Sequence, residues 1–319
     1  VTRIRQSAGQ ATRDRRFVGP AESFRAYCQL IRLPNLFTAA ADVLAGFFLC
    51  HSPITPESLS FLWPLVFAGV TFYAAGVVLN DWVDREIDAR ERPQRPIPSG
   101  FVPASMAFWL GWGFLMVAVV LSAYVAWRAG TVRPILVALF LAAAIVVYNF
   151  VMKKTFLGPA VMGTCRGINF VLGTTLSPWN CAWLPLPVGM AVYVAGITAF
   201  ARTEADTPHR GWLAGGLATM MAGLAIITGY AVTAERFVID SWRWYALLGI
   251  LAGWMLLRGI WVLAAPSPAR VQRLVTQAVM GIIILDAAVV FTAHGPLGAL
   301  PVLALILPAT WAGRWIAST

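Results

Sequence analysis

The sequence predicts an all-α fold, a polytopic transmembrane helical bundle of nine to ten spans. Mean hydropathy is +0.72. Charged residues are 12% of the 319-residue chain, well below the roughly 25% of soluble domains. Apolar runs of about 20 residues recur along nearly the whole length, without the alternation of a membrane barrel.

The first 29 residues are basic and polar and have no apolar core of a signal peptide. They read as a basic cytoplasmic arm able to lie on anionic lipid, ahead of a membrane domain over 30–319. The apolar runs fall at 30–50, 59–80, 102–127, 133–151, 156–176, 182–201, 211–233, 243–264, 272–293 and 297–316. The last two are separated only by HGPLG around Gly295 and Pro296, so nine spans remain open beside ten. With the N-terminus in the cytoplasm, the arm and the loops 81–101, 152–155, 202–210 and 265–271 share the inner side. The outer side then holds only Arg128, Arg133, Arg236 and Arg243, as the positive-inside rule requires. A cytoplasmic (inner) membrane with chemistry at its inner face is the expected setting. The formal net charge of +10 is explained by these basic loops, and no nucleic-acid partner is needed. Cys28, Cys50, Cys165 and Cys181 lack metal-ligand spacing. A Cys50–Cys181 disulfide is open, beside the blander reading of small apolar side chains.

The second run ends in NDWVDREIDARERPQRPIPSG, residues 80–100. If the helix continues, Asn80, Asp84 and Asp88 share one stripe, with Asp81 three residues before Asp84. Carboxylates on one face repel unless a cation sits among them, and hard oxygen donors favour Mg²⁺ shared with phosphate. Arg92 and Arg95 follow as candidate phosphate partners, before two prolines and a glycine stop the helix. A solvated loop with intrahelical ion pairs, such as Arg85 with Glu86, is the simpler alternative.

NDWVDREID followed by RPQRPIPSG resembles the first aspartate-rich motif and tail of the UbiA superfamily of intramembrane prenyltransferases. The resemblance implies a UbiA-like fold and Mg²⁺-dependent transfer from an allylic prenyl diphosphate to an unidentified acceptor, with membrane lipid as surroundings. It implies metal-site roles for Asn80, Asp81, Asp84 and Asp88, and diphosphate roles for Arg92 and Arg95. YNFVMKK resembles the family's Tyr-plus-basic-pair feature, with Tyr148, Lys153 and Lys154 one residue further apart than usual. Ordinary positive-inside lysines are the alternative there. Where the family carries a second DxxxD-type motif, this chain has FARTEADTPHR. Glu204 then takes the metal-facing place, Asp206 lies off that face, and Arg202 or His209 stands near the phosphates. With GTCRGINFVLG, this segment is similar to the EboC-like branch. Asp81, Asp84, Asp88 and Glu204 are the expected catalytic residues.

Inside the spans, Arg166 and Asn169 sit three apart on one face, and an intramembrane arginine points to a site by default. Arg166 either reaches inward to diphosphate or acceptor, or pairs with Asp42 or Asp286. Asn35 and Tyr148 are candidate acceptor or cavity residues, as is Tyr193. A secondary transporter using Asp42, Arg166 and Asp286, and a non-catalytic prenyl-lipid-binding relative, remain the rival functions.

Overall fold

The computed structural model describes residues 20–51, 53–202, 209–234 and 237–317, all helix and connection with no strand among them. The helices are α1 (Pro20–Leu30), α2 (Leu33–Cys50), α3 (Pro56–Glu91), α4 (Ala104–Ala129), α5 (Arg133–Val147) and α6 (Gly158–Thr174). They continue as α7 (Pro185–Ala201), α8 (Arg210–Thr233), α9 (Ser241–Ala264), α10 (Pro268–Leu303) and α11 (Ile306–Ala317). Eight segments are long and apolar enough to cross a membrane. The chain is a multi-pass membrane protein.

Two further passes come from geometry. α6 has only 17 residues, yet it runs from the loop at Lys153 to Ser177, whose hydroxyl donates to Cys50 O at the far end of α2. The segment Pro268–Ile316 also reverses at Gly295, where φ is +68°. Beyond it the chain returns along α2, and Arg25 of α1 donates to Ile316 O. This supports ten spans over nine, with both described termini at the end of the bundle that carries the α3 acids.

The bundle begins before residue 30. Ala26, Cys28 and Leu30 of α1 are buried, and Ala26 and Leu30 pack on Val78, Ile97, Val102 and Ala107. Residues 20–30 thus belong to the folded bundle. The expected boundary missed this because α1 is short and interleaves Glu22, Arg25 and Gln29 with its apolar residues, so no apolar run marks it. The cysteines are all free, so the Cys50–Cys181 disulfide is absent.

Helices α6, α7 and α8 approach closely through small residues, as membrane helices do. A Cβ on Gly167 would lie 2.7 Å from Pro187 O, and one on Gly196 2.5 Å from Met220 N. Tyr193 is fully buried and donates its hydroxyl to Ala278 O at 3.1 Å. It is a core residue of the α7–α10 contact, which corrects its reading as a cavity residue.

Mid-bundle, α2, α6 and α10 meet through four buried polar side chains. Arg166 Nε stands 2.7 Å from Asp42 Oδ2. Asn169 Nδ2 donates to Asp42 Oδ2 at 2.9 Å and to Ala39 O at 3.0 Å, and Asp286 lies against Asp42. Of the two alternatives for Arg166, the structure adopts the ion pair. Its side chain does not extend to the α3 acids, because Asp42 is nearer and equally shielded from water. Asn169 is likewise a partner of Asp42 and does not line the cleft at the α3 acids. Removing one member of such a pair strands the other charge, which costs about 3–5 kcal/mol. Arg166→Met is therefore expected to lower the melting temperature in detergent strongly, and adding Asp42→Asn is expected to recover much of that loss.

Candidate active site at the acidic end of α3

α3 is a single helix of 36 residues and does not end with the apolar run. Its last three turns carry Asp81, Asp84 and Asp88 on one stripe. Asp81 and Asp88 are buried, and the Asp84 side chain is 17% exposed. Each acid meets a basic side chain from a different element. Arg32 Nη2 stands 3.2 Å from Asp81 Oδ1. Arg95 Nη1 stands 2.6 Å from Asp88 Oδ2 and 3.5 Å from Asp81 Oδ1. Lys153 Nζ pairs with Asp84 Oδ2.

Local structure places each cation. After α3, Arg92 caps the helix by donating its N–H to Asp88 O at 2.8 Å. The RPIPSG stretch then folds into a turn in which Ser99 N and Oγ both reach Arg95 O, at 3.0 and 2.7 Å. Gly100 closes that turn at φ +82°, a backbone region open to glycine. Ile97 anchors it in the core beside Leu30 and Val78, so Arg95 is held over the stripe. Arg32 sits at the α1–α2 corner with φ 50° and ψ 56°, the only non-glycine with positive φ among the described residues. A left-handed conformation is strained for a residue with a Cβ. Here it lets α1 fold back while the side chain faces Asp81.

Lys153 arrives through a π-helical turn, Tyr148–Met152, at the end of α5. Lys153 N donates to Tyr148 O at 2.8 Å, the i→i+5 bond of a π turn. The residue by which YNFVMKK exceeds the family spacing is absorbed by this wider turn, so Lys153 still follows Tyr148 on one side of the chain. Tyr148 is buried, with Arg32, Asp84 and Arg202 as charged neighbours. Burial pushes the Lys153 ammonium below its ordinary range, and Asp84 opposes that shift.

The other expected site residues distribute unevenly. Asn80 is half-buried on the stripe, and Asn35 is half-buried in the first turn of α2, its carbonyl accepting the Thr38 hydroxyl at 2.7 Å. The Arg92 side chain makes no ion pair among the described residues, and Lys154 is exposed and likewise pairs with no acid among them. Arg202 does not reach the α3 acids. It donates to Lys153 O at 3.1 Å and to Thr155 O, and lies 5.3 Å from the Trp212 ring centroid. It therefore tethers the lysine loop, because those loop carbonyls need donors. Arg85 forms the local contacts of the simpler alternative, 3.2 Å from Glu86 and 4.5 Å from the Trp82 ring. Glu204 and Asp206 lie outside the described residues.

A cleft of about 240 Å³ opens at this end, lined by Gln29, Arg32, Asp81, Gln94, Arg95 and Pro96. Gln29, Arg32 and Gln94 were not singled out from the sequence. No spacing rule links Arg32 to residue 81, so the sequence carries no local signal for their contact.

The clustered carboxylates do not require a metal for neutralisation here, since the protein's own cations neutralise them. Among the described residues no group of three His, Cys, Asp or Glu side chains is placed to enclose an ion. Yet Mg²⁺ commonly takes only one or two carboxylates, keeping waters and sharing substrate phosphates. Hard carboxylate oxygens beside three mobile-tipped cations fit that mode.

Comparison with known proteins identifies the family and the fold. A digeranylgeranylglyceryl phosphate synthase of Natronomonas pharaonis is 33% identical over 48% of this chain and 52% of its own length. One from Metallosphaera sedula is 29% identical over 73% of this chain and 80% of its own. The matched region spans about half the length of several such relatives. The fold matches a solved digeranylgeranylglyceryl phosphate synthase at TM-score 0.62 and 20% identity, covering 85% of this chain and 99% of that one. It also matches a UbiA homologue from Archaeoglobus fulgidus bound to DMAPP and Mg²⁺, at TM-score 0.61 and 15% identity, covering 87% and 99%. The profile of the UbiA prenyltransferase family matches residues 40–282, most of the chain, including the α3 stripe, the π turn and most of the mid-bundle polar cluster. The chain belongs to the UbiA prenyltransferase family.

Proposed function

We propose that this protein transfers a prenyl group from an allylic prenyl diphosphate to an acceptor nucleophile in a Mg²⁺-dependent reaction. The observation that carries the reading is the stripe of three acids on α3, each touching a cation supplied from elsewhere in the fold, beside an open cleft. The acidic end is read as cytoplasmic, in a cytoplasmic membrane. Relatives named for a glyceryl phosphate product make a glycerol-type hydroxyl the first acceptor to test.

Asp81, Asp84 and Asp88, with Asn80 at the stripe's start, would hold the Mg²⁺ ion, which would supply Lewis-acid neutralisation of the diphosphate. The chain's own part is electrostatic and steric. In the free protein Arg32, Arg95 and Lys153 rest on the carboxylates. Arg32 and Arg95 line the cleft and Lys153 stands on the neighbouring Asp84, so an entering diphosphate exchanges carboxylate for phosphate partners with little reorganisation. Arg forks suit phosphate oxygens bidentately, and Lys153 acts as a point charge. Arg202 holds the Lys153 loop in place. The cleft is smaller than the roughly 300–1,000 Å³ of ordinary ligand pockets. It accommodates the head group, and the apolar tail extends beyond it into the bundle or bilayer, away from water that would quench an allylic cation.

Three outcomes check this. With purified protein and allylic diphosphates of graded chain length, release of diphosphate is expected only with Mg²⁺; chelation abolishes it and Mg²⁺ restores it. Binding without release would support the non-catalytic alternative. Asp81→Ala and Asp84→Ala are expected to reduce turnover about 10²–10³-fold, the scale of losing one preorganised electrostatic group, while melting temperature stays close to wild type. Lys153→Ala is expected to weaken binding of a non-hydrolysable prenyl thiodiphosphate about 10-fold or more, the effect of losing one charged hydrogen bond. Lys154→Ala, at an exposed position that pairs with no acid among the described residues, is expected to change it little.

A further inference from the structure

Arg258 lies inside α9, six residues before its end at Ala264, or about 9 Å along the axis at 1.5 Å per residue. Its side chain is exposed on the bundle surface. An arginine facing lipid at that depth is costly unless its charge is met. No carboxylate meets it among the described residues. Residues 241–285 contain four arginines and no Asp or Glu at all. Among the described residues, the acidic partners that neutralise the α3 site have no counterpart on this face.

The same face is organised. Trp254, Arg258 and Trp261 recur at i, i+4 and i+7, one stripe of a helix. The Arg258 guanidinium stands 5.9 Å from the Trp254 ring centroid, and that of Arg270 stands 4.2 Å from Trp261. Arg270 is drawn across from α10 by donating to Ala265 O at 2.7 Å. Trp254 and Trp261 remain 37% and 46% exposed, and Leu257 and Ile250 beside them 71% and 73%. The strip is thus cationic near one end of α9, where Trp261 accompanies Arg258 and Arg270, and apolar toward the middle of the helix through Leu257, Trp254 and Ile250.

We propose that this strip on α9 and α10 binds an anionic phospholipid, its phosphate between Arg258 and Arg270 and its acyl chains along Leu257 and Ile250. The uncompensated positive charge demands an anion, and the apolar continuation of the strip demands that the anion carry a tail. Guanidinium groups match phosphate oxygens, and Arg258 can snorkel to the head-group level while its stem stays in lipid. Interfacial tryptophans sit at that same level. Neither helix lines the cleft at Asp81, so the lipid occupies a place separate from the proposed diphosphate site.

The test uses the full-length protein in detergent and native mass spectrometry with phosphatidylglycerol and phosphatidylcholine of matched chains. Discrete retention of phosphatidylglycerol over phosphatidylcholine is expected. The preference is expected to fall about fivefold for each of Arg258→Gln and Arg270→Gln, the scale of one interfacial cation. Arg258→Lys, which keeps the charge if the glutamine variant is unstable, and Arg314→Gln on α11 are expected to retain it. Equal retention of both lipids, or an unchanged preference in the two glutamine variants, overturns the proposal. So does displacement of phosphatidylglycerol by inorganic phosphate, which would mark a free-anion site. Dissociation of an oligomer in Arg258→Gln with lipid retention unchanged would mark an interface between copies, and likewise overturns it.

Discussion

Three carboxylates on one stripe at the end of an apolar helix cannot stand unneutralised, and the rest of this end of the molecule is arranged around that constraint. Asp81, Asp84 and Asp88 are largely withdrawn from water, so each must meet positive charge at short range. Arg32 comes from a strained helix corner, Arg95 from a proline-rich turn, and Lys153 from a π turn. Four separate stretches of chain are tied together by one electrostatic requirement. The same requirement leaves the site poised. Cations that satisfy carboxylates in the free protein are the groups that a diphosphate would attract, and in the proposed reaction the acids they release would be oxygen donors for Mg²⁺.

The buried charges in the middle of the bundle behave differently. Asp42, Arg166, Asn169 and Asp286 are at most 7% exposed, and they join α2, α6 and α10. Buried ion pairs often contribute little net stability compared with apolar packing, because desolvation offsets attraction. Their consequence is that no member can be removed alone. The α9 strip is a third case, where arginine meets aromatic faces with no acid in reach among the described residues. Charge in this protein is thus handled in three ways according to its surroundings: paired beside a cleft, paired and sealed, or left at the membrane surface for an outside partner.

Much of the site could be read from the residues. NDWVDREID carries its own geometry, since i, i+3 and i+4 spacing needs only a continuing helix to become a stripe, and α3 does continue. The tail RPIPSG was legible as a stop, though its work of aiming Arg95 depends on Ile97 finding Leu30 and Val78. Arg32 was not legible, because its role comes from a backbone conformation that sequence rules assign to glycine. The extra residue in YNFVMKK looked like a departure from the family spacing, and only the π turn reconciles it. For Arg166 the sequence left reach toward diphosphate or acceptor open beside pairing with Asp42 or Asp286, and proximity in space decided for Asp42.

By itself, the sequence determined that this chain lives in a membrane, that its helices are separated where they are, and that one helix end carries an acidic stripe beside basic loops. Those properties follow from local composition and short-range periodicity, which neighbouring residues dictate without reference to the fold. Tertiary structure alone decided which cation meets which acid, that the last span doubles back at Gly295, that Arg202 tethers a loop, and that α1 joins the bundle. Coulomb attraction and packing act through space, and the distances that set them, between residues 32 and 81 or 84 and 153, exist only once the helices have assembled.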